Sequence, residues 1–517
     1  MKEGVYLFGW RISALYAKLI SANVLGIDGF IVEVEIDISN GLPAFEIVGL
    51  PDSAVREARE RVRIAIKNSD ANYPLQRITI NLAPADIRKE GSVFDLAMAI
   101  GILGASDQIP LTKTKNMLLI GELAFDGSLR PLTGVLPMVI AAKEAGIQQV
   151  MLPSQNASEG ALVDGLQIIP IQSLSEAIRY FRNEWQPAAI QHSTSSPSPQ
   201  FSLDFADVQG QLHVKRAMEV AAAGGHNLLL IGPPGSGKTM LSRRIASILP
   251  DMTQAEALEV TKIYSIAGLI SDRGQLITER PFRSPHHTIS QAGLIGGGTN
   301  PKPGEVSLAH KGVLFLDEMP EFSKSSLEVL RQPLEDHQVT IGRAKAVFTY
   351  PAAFLLVGSM NPCPCGFLGY EETHPCTCNP FQINRYRAKL SGPLLDRIDI
   401  HVEVPRVDFD TLADSAKNET SVTIRQRVNQ ARERQRKRNG ENARMSPTDI
   451  RKYCTIDEDS YQLLKQSFDK LGLSARAHDR ILKVARTIAD LAGEESIRLE
   501  HVAEAIQYRT LDRRFQQ

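Results

Sequence analysis

The chain of 517 residues is 43% hydrophobic and sets 58 Lys and Arg against 59 Asp and Glu, a formal net charge of -1. A length several times the usual domain of about 100 to 200 residues calls for more than one core, and the ordinary apolar content excludes disorder and collagen-like repeats. The neutral balance excludes a protein that coats nucleic acid or an anionic membrane over its whole surface, so any such partner must meet a local patch.

In chain order, MKEGVYLFGW is only faintly like a signal peptide, because Arg11 and Lys18 interrupt it and no small-residue cleavage site follows. No apolar run reaches the roughly 18 residues of a membrane span, so no membrane partner is expected and the protein reads as cytoplasmic. Residues 1–14 read as an extension or a start-site artefact, with strand-like alternation setting in from about Ile27. Residues 24–50 alternate apolar and polar side chains around Asn40-Gly41, which predicts a β-hairpin turned there. From Asp52, apolar residues at 55, 58, 62 and 66 share one face of a helix. RITINLAPAD predicts a strand, residues 93–104 a buried helix, GELAFDGSLRPLTG a hairpin and VLPMVIAAKEAGI a further helix. Together they make an α+β domain over 15–183. The Ser, Pro and Gln-rich run inside 184–200 holds nothing that anchors a core and reads as a linker.

Beyond it, HNLLLIGPPGSGKTMLSRRIASIL runs strand, glycine-rich loop, helix. Gly232, Pro233, Pro234, Gly235, Ser236, Gly237, Lys238 and Thr239 complete the pattern G-x-x-x-x-G-K-[ST]. Such a loop turns its backbone N–H groups onto the β-phosphate of ATP, aided by the dipole of the following helix. Lys238 is expected on the β- and γ-phosphates and Thr239 on Mg²⁺. GVLFLDE then ends a buried strand in two acids: Asp317 to hold Mg²⁺ through water and Glu318 to polarise the attacking water. FLLVGSMN predicts the neighbouring strand, with Asn361 at its tip to hold the lytic water.

Four further segments invite function. The glycine-rich insertion before Asp317 carries Lys302, a candidate DNA contact on a pore loop; its adjacent His286 and His287 are expected to pack or hydrogen-bond, since neighbouring side chains rarely converge on one ion. QVTIGRAKAVFTY predicts a hairpin with Arg343 and Lys345 at its tip, either as DNA contacts or as charges that keep a turn soluble. Four of the five cysteines, Cys363, Cys365, Cys376 and Cys378, form C-x-C-x₁₀-C-x-C and are candidate zinc ligands, with His374 as a substitute ligand and reduced thiols in a turn as the alternative. Residues 421–452 hold ten Arg or Lys against three acids, a net +7 that leaves -8 for the rest; this is a phosphate-binding patch, a solvated connector helix, or both.

These motifs together resemble an AAA+ ATPase, and more narrowly the magnesium-chelatase-like branch. The resemblance implies an arginine finger at Arg397 in SGPLLDRIDIHVEV and a sensor arginine at Arg476 in LSARAHDRILKVARTIADL. A finger acts on the neighbouring subunit's γ-phosphate and so implies a homo-oligomeric ring, a hexamer; an ion pair of Arg397 with Asp396 or Asp399 is the alternative reading. RKEGSVFDLAMAIGIL and GELAFDGSLRPLTGVLPMVIAAKEAGI resemble the Lon-protease-type domain. That resemblance sets Val93 and Met138 at the nucleophile and base positions, and neither side chain can do the chemistry, so a protease fold without proteolysis is expected. Ser92, one residue off, would be turned about 100° away on a helix.

The domain order is similar to that of the competence protein ComM (YifB) family. The resemblance implies a multidomain α/β chain: a Lon-protease-like α+β domain at 15–183, a linker at 184–200, an AAA+ P-loop core with a parallel sheet at 201–405 and a helical C-terminal lid at 406–517. It implies a hexameric, ATP-driven helicase that migrates DNA branches and extends heteroduplex in natural transformation. A remodeller of proteins or a chelatase-like subunit shares the same ATP site and stands as the alternative.

Overall fold

A computed structural model describes residues 15–188, 203–270, 275–298, 302–343, 346–370, 374–408, 418–438, 440–471 and 475–511. The expected extension at 1–14 and most of the linker lie outside the described residues. The chain divides into two compact units, Met1–Ser196 with Thr261–Leu276, and Pro197–Val260 with Ile277–Gln517.

In the first unit, β1 (Tyr16–Leu25) and β2 (Asp28–Ser39) pair antiparallel around a turn at Gly26, whose φ of 65° suits glycine. Regular alternation therefore begins at Tyr16, ahead of Ile27. β3 (Ala44–Val48) and β4 (Arg77–Ala83) follow, then β5 (Met117–Leu119), the ribbon of β6 (Glu122–Leu123) with β7 (Leu129–Arg130), β8 (Gln149–Pro153) and β9 (Gln167–Ile171). Seven of these strands form one sheet in the order β3-β4-β2-β1-β5-β8-β9. The hairpin expected at Asn40-Gly41 does not form. β4 lies between β2 and β3, antiparallel to the first and parallel to the second. β2 shows the expected alternation, with Val32, Val34, Ile36 and Ile38 buried, but the residues that lie between it and β3 come later in the chain.

The helix Ser53–Lys67 starts where the Asp52 side chain accepts the Val55 N–H, and it buries Val55, Ala58, Val62 and Ile66, the face its spacing predicts. Asp95–Ala105 and Val135–Glu144 are mainly apolar helices. Ser92 and Val93 sit in the turn before Asp95, not on that helix. The expected helical rotation of Ser92 therefore does not apply, and its hydroxyl instead donates to Glu122 Oε2.

The second unit is built on a parallel sheet. Its strands are β10 (Leu228–Ile231), β11 (Phe282–Arg283), β14 (Val313–Leu316), β17 (Leu355–Met360) and β18 (Ile400–Glu403), ordered β11-β14-β17-β10-β18. β12 (Gly296–Gly297) pairs with β13 (Lys302–Pro303), and β15 (Gln338–Arg343) with β16 (Ala346–Pro351), as separate ribbons. β10, β14 and β17 are buried along their full length, as strands covered on both faces must be. The C-terminal helices share that core: Ile424 and Val428 of Ser421–Arg436 and Ile481, Ala485 and Ile488 of Ala475–Ala492 belong to one cluster with Leu228, Leu230 and Val357. The chain is a multidomain α/β protein. Among the described residues, no helix is long and apolar enough to cross a membrane.

Candidate functional site

The phosphate-loop residues Gly232–Thr239 leave the C-terminal end of β10 and enter the helix Lys238–Ile248. Gly235 and Gly237 take φ of 75° and 87°, which L side chains resist, and a Cβ on Gly232 would lie 2.2 Å from the Val404 carbonyl oxygen. Ser236, within the loop, keeps a buried hydroxyl with no partner among the described residues. Lys238 Nζ donates to the Gly232 and Pro233 carbonyls at 2.8 and 2.9 Å and to Asn361 Oδ1 at 3.2 Å. Burial lowers its affinity for the proton, against the pull of Asp317 and Glu318.

The register explains why these groups meet. Ile231 pairs with Met360, and Leu316 with Gly358, so the ends of β10, β14 and β17 line up at one edge of the sheet. Thr239 Oγ1 donates to Asp317 Oδ2 at 2.8 Å, which sets the two expected Mg²⁺ ligands side by side. Both are hard oxygen donors, the type that suits Mg²⁺. Glu318 is exposed and adopts φ 49°, a strained conformation for a residue with a side chain.

Two side chains of this site were not singled out from the sequence. Ser359 Oγ donates to Asp317 Oδ1 and accepts the Glu318 N–H at 3.1 Å, so one buried hydroxyl orients both acids. A lone hydroxyl inside the apolar run FLLVGSMN was the available signal. The Tyr386 hydroxyl, from the helix Pro380–Arg387, accepts the Asn361 N–H at 3.4 Å, and burial pushes its pKa up to about 12.

Arg397 and Arg476 lie elsewhere. Ile400 pairs with Leu228 and Glu403 with Ile231, so Arg397, three residues before β18, sits at the end of the sheet opposite the phosphate loop. Its carbonyl accepts from Asn227 Nδ2 at 2.8 Å, just ahead of β10. β10 alone spans about 10 Å at the usual rise per residue. Arg397 pairs with Glu335, not with the expected alternatives Asp396 or Asp399. Asp399 instead meets Arg480 and His226. Arg476 lines the same pocket as Arg397 and Glu335. The Arg397 hydrogen bond and charge, with a further contribution from Arg476, hold the Glu335 carboxyl below its ordinary value.

The sulfurs of Cys363, Cys365, Cys376 and Cys378 lie within 4.8 Å of one another, while His374 packs edge-on against Phe367 at 4.9 Å. His286 and His287 stack at 4.1 Å, with His286 Nδ1 at 2.9 Å from Thr288 Oγ1. Lys302 is exposed in β13. Arg343 closes the β15–β16 ladder opposite Ala346, but its side chain, and Lys345 altogether, lie outside the described residues.

Part of the basic segment 421–452 is matched by acids. Arg427 pairs with Glu219 and Glu419, Arg432 and Arg444 with Glu441, Arg436 with Glu433, and Arg438 with Asp490. Glu433 and Glu441 already enter the net +7, so it is Glu219, Glu419 and Asp490, from outside the segment, that offset part of the excess within the second unit. Val93 and Met138 are both buried.

Three family models match the chain. One described as magnesium chelatase, subunit ChlI, covers residues 204–412; one described as subunit ChlI of Mg-chelatase covers 34–156; and the C-terminal model of magnesium chelatase subunit ChlI covers 418–509. The chain is similar to competence protein ComM of Haemophilus influenzae, with 45% identity over 500 residues that make up 95% of this chain and 97% of that one. It is similar to the uncharacterized protein YifB of Escherichia coli at 44% over 497 residues, 95% and 96% of the two chains. A shorter stretch resembles Lon protease 2 of Bacillus subtilis, at 27% over 168 residues, 29% of this chain and 30% of that protein.

Proposed function

The chain belongs to the family of competence protein ComM and YifB, and on that premise we propose that it is an ATP-hydrolysing hexameric ring motor acting on single-stranded or branched DNA. Its work would be helicase-like: branch migration and heteroduplex extension in natural transformation and recombination. The observation that carries this reading is the split of the charged groups between opposite ends of one sheet. Lys238, Thr239, Asp317 and Asn361 gather at one end, while Arg397 and Arg476 gather at the other, too far to serve the same chain's phosphates. A complete site then needs a second copy, and repetition of that head-to-tail contact closes a ring.

In that site, the phosphate loop and Lys238 bind the phosphates, and Thr239 and Asp317 would hold Mg²⁺, which would supply neutralising charge for phosphoryl transfer. Ser359 keeps Asp317 in register. Glu318 orients the attacking water and Asn361 supports it. The neighbour's Arg397 leaves Glu335 to meet the γ-phosphate, and Arg476 stands beside it. Arg343, Lys345 and Lys302 are the proposed DNA contacts. Zinc on Cys363, Cys365, Cys376 and Cys378 completes the cofactor set. The Lon-like domain serves as a platform without proteolysis, and the motor works in the cytoplasm.

One observation favours the alternative, a remodeller of proteins or a chelatase-like subunit with a protein partner: the pairing of several 421–452 arginines with acids weakens one of the expected phosphate tracks. The test is a labelled four-way DNA junction incubated with protein, Mg²⁺ and ATP. Junction resolution into duplex products by the wild type and its absence with Glu318→Gln is expected. Failure of the wild type on junctions and forks, with ATP turnover intact, would turn the reading to the remodeller.

A further inference from the structure

The four-cysteine loop lies directly against the phosphate loop. Cys363 Sγ stands 3.4 Å from Cys365 Sγ and 3.8 Å from Cys376 Sγ, and Cys365 Sγ stands 3.6 Å from Cys376 Sγ. A tetrahedron of thiolates at about 2.3 Å from zinc has edges of about 3.8 Å, whereas a disulfide needs about 2.05 Å. The Cys365 N–H points at Cys378 Sγ and the Leu368 N–H at Cys363 Sγ, each at 3.4 Å, the arrangement that stabilises a thiolate ligand.

The loop's surroundings give the cluster a place in the nucleotide site. Asn361 lies two residues before Cys363, and Asn379, next after Cys378, caps the helix that carries Tyr386 back to the Asn361 N–H. Between the cysteine pairs, Gly366 sits at φ 89° on the phosphate loop: a Cβ there would lie 2.5 Å from Pro234 Cδ. Arg406 stacks over Phe367 at 5.7 Å and donates to the Pro234 carbonyl at 3.4 Å. One side of the loop thus presses on Pro234, and the other ends at Asn361.

We infer that the four cysteines form a closed structural zinc knuckle that clamps the phosphate loop through Gly366 and Pro234, so that nucleotide affinity depends on the zinc. This rests on the zinc reading above and goes beyond it by giving the ion a task. Without the ion, the cysteine pairs keep only weaker contacts among the described residues, such as the Cys365 N–H on Cys378 Sγ and Phe367 against His374, and the support under Pro234 loosens.

The experiment uses the full chain purified without chelator, with zinc per chain read by plasma mass spectrometry and ADP affinity by a fluorescent ADP analogue. The wild type is expected to hold about one zinc. Cys376→Ser should lose zinc and weaken ADP binding roughly tenfold. Gly366→Ala should keep its zinc and still weaken ADP binding by a similar factor, because its Cβ must displace Pro234; this variant decides the matter if the cysteine variant fails to fold. No zinc in the wild type overturns the zinc reading. Zinc in the wild type and in Gly366→Ala, with ADP affinity unchanged in Gly366→Ala, overturns the clamp alone.

Discussion

Ser359→Ala tests how the acids of the ATP site are held. The Ser359 hydroxyl is fully buried, donates to Asp317 Oδ1 and accepts from the Glu318 N–H. Removing it leaves Asp317 Oδ1 with the Glu318 N–H alone, at 3.1 Å, and frees the carboxylate to turn away from Thr239. A hydrogen bond to a charged group contributes about 1.5–3 kcal/mol, which is roughly 10- to 100-fold in an equilibrium or rate constant. Lys238 and the loop glycines are untouched, so nucleotide binding without metal should stay within about twofold of wild type. The loss should appear instead as a higher Mg²⁺ requirement and a lower kcat. The assay is ATP turnover against Mg²⁺ concentration at saturating ATP, beside ADP binding in a chelator. Unchanged kcat and Mg²⁺ dependence in a stable Ser359→Ala protein would refute the assignment of Ser359 as the group that positions Asp317.

Glu318→Gln should bind ATP normally and stop hydrolysis, and Lys238→Ala should lose nucleotide affinity; equilibrium binding beside a phosphate-release assay checks both. Arg397→Ala and Lys238→Ala should each be inactive alone yet recover turnover when mixed, because one interface in a mixed ring pairs an intact phosphate loop with an intact finger. A mixture no more active than its components would contradict a finger acting between subunits. Burial pushes the Glu441 carboxyl up, but Arg432 and Arg444 outweigh it and hold the group down at about 2. Its folded value lies below the unfolded one of about 4.3, so its stabilisation is present above that pH and fades as the pH falls toward the folded value. Glu441→Gln should therefore lower Tm at about pH 7, with the difference from wild type shrinking by about pH 3.

The parts of this protein that the sequence made legible are those whose determinants are local. The phosphate loop, the acids after β14 and Asn361 after β17 each follow an apolar strand within a few residues, and the parallel sheet brings their ends together. The spacing at Val55, Ala58, Val62 and Ile66 likewise gave its helix. What escaped depends on distant partners. Asn40-Gly41 looks like a hairpin turn because nothing nearby announces that β4 will enter between β2 and β3. The basic run 421–452 looks like an anion patch until Glu219 and Asp490, from other helices, are brought against it. Arg397 has acids on both sides in sequence, yet its partner is Glu335, while Asp399 is taken by His226 and Arg480 from distant parts of the chain.

In the proposed motor, DNA drives ATP turnover in a ring. The measurement that tests it most directly is the ATPase rate of the full chain with no DNA and with single-stranded, duplex and branched DNA, over a series of salt concentrations. A severalfold rise is expected with single-stranded or branched DNA, lost as salt screens the phosphate contacts and lost in Arg343→Ala with Lys345→Ala. An ATPase rate that no form of DNA raises at low salt would contradict it.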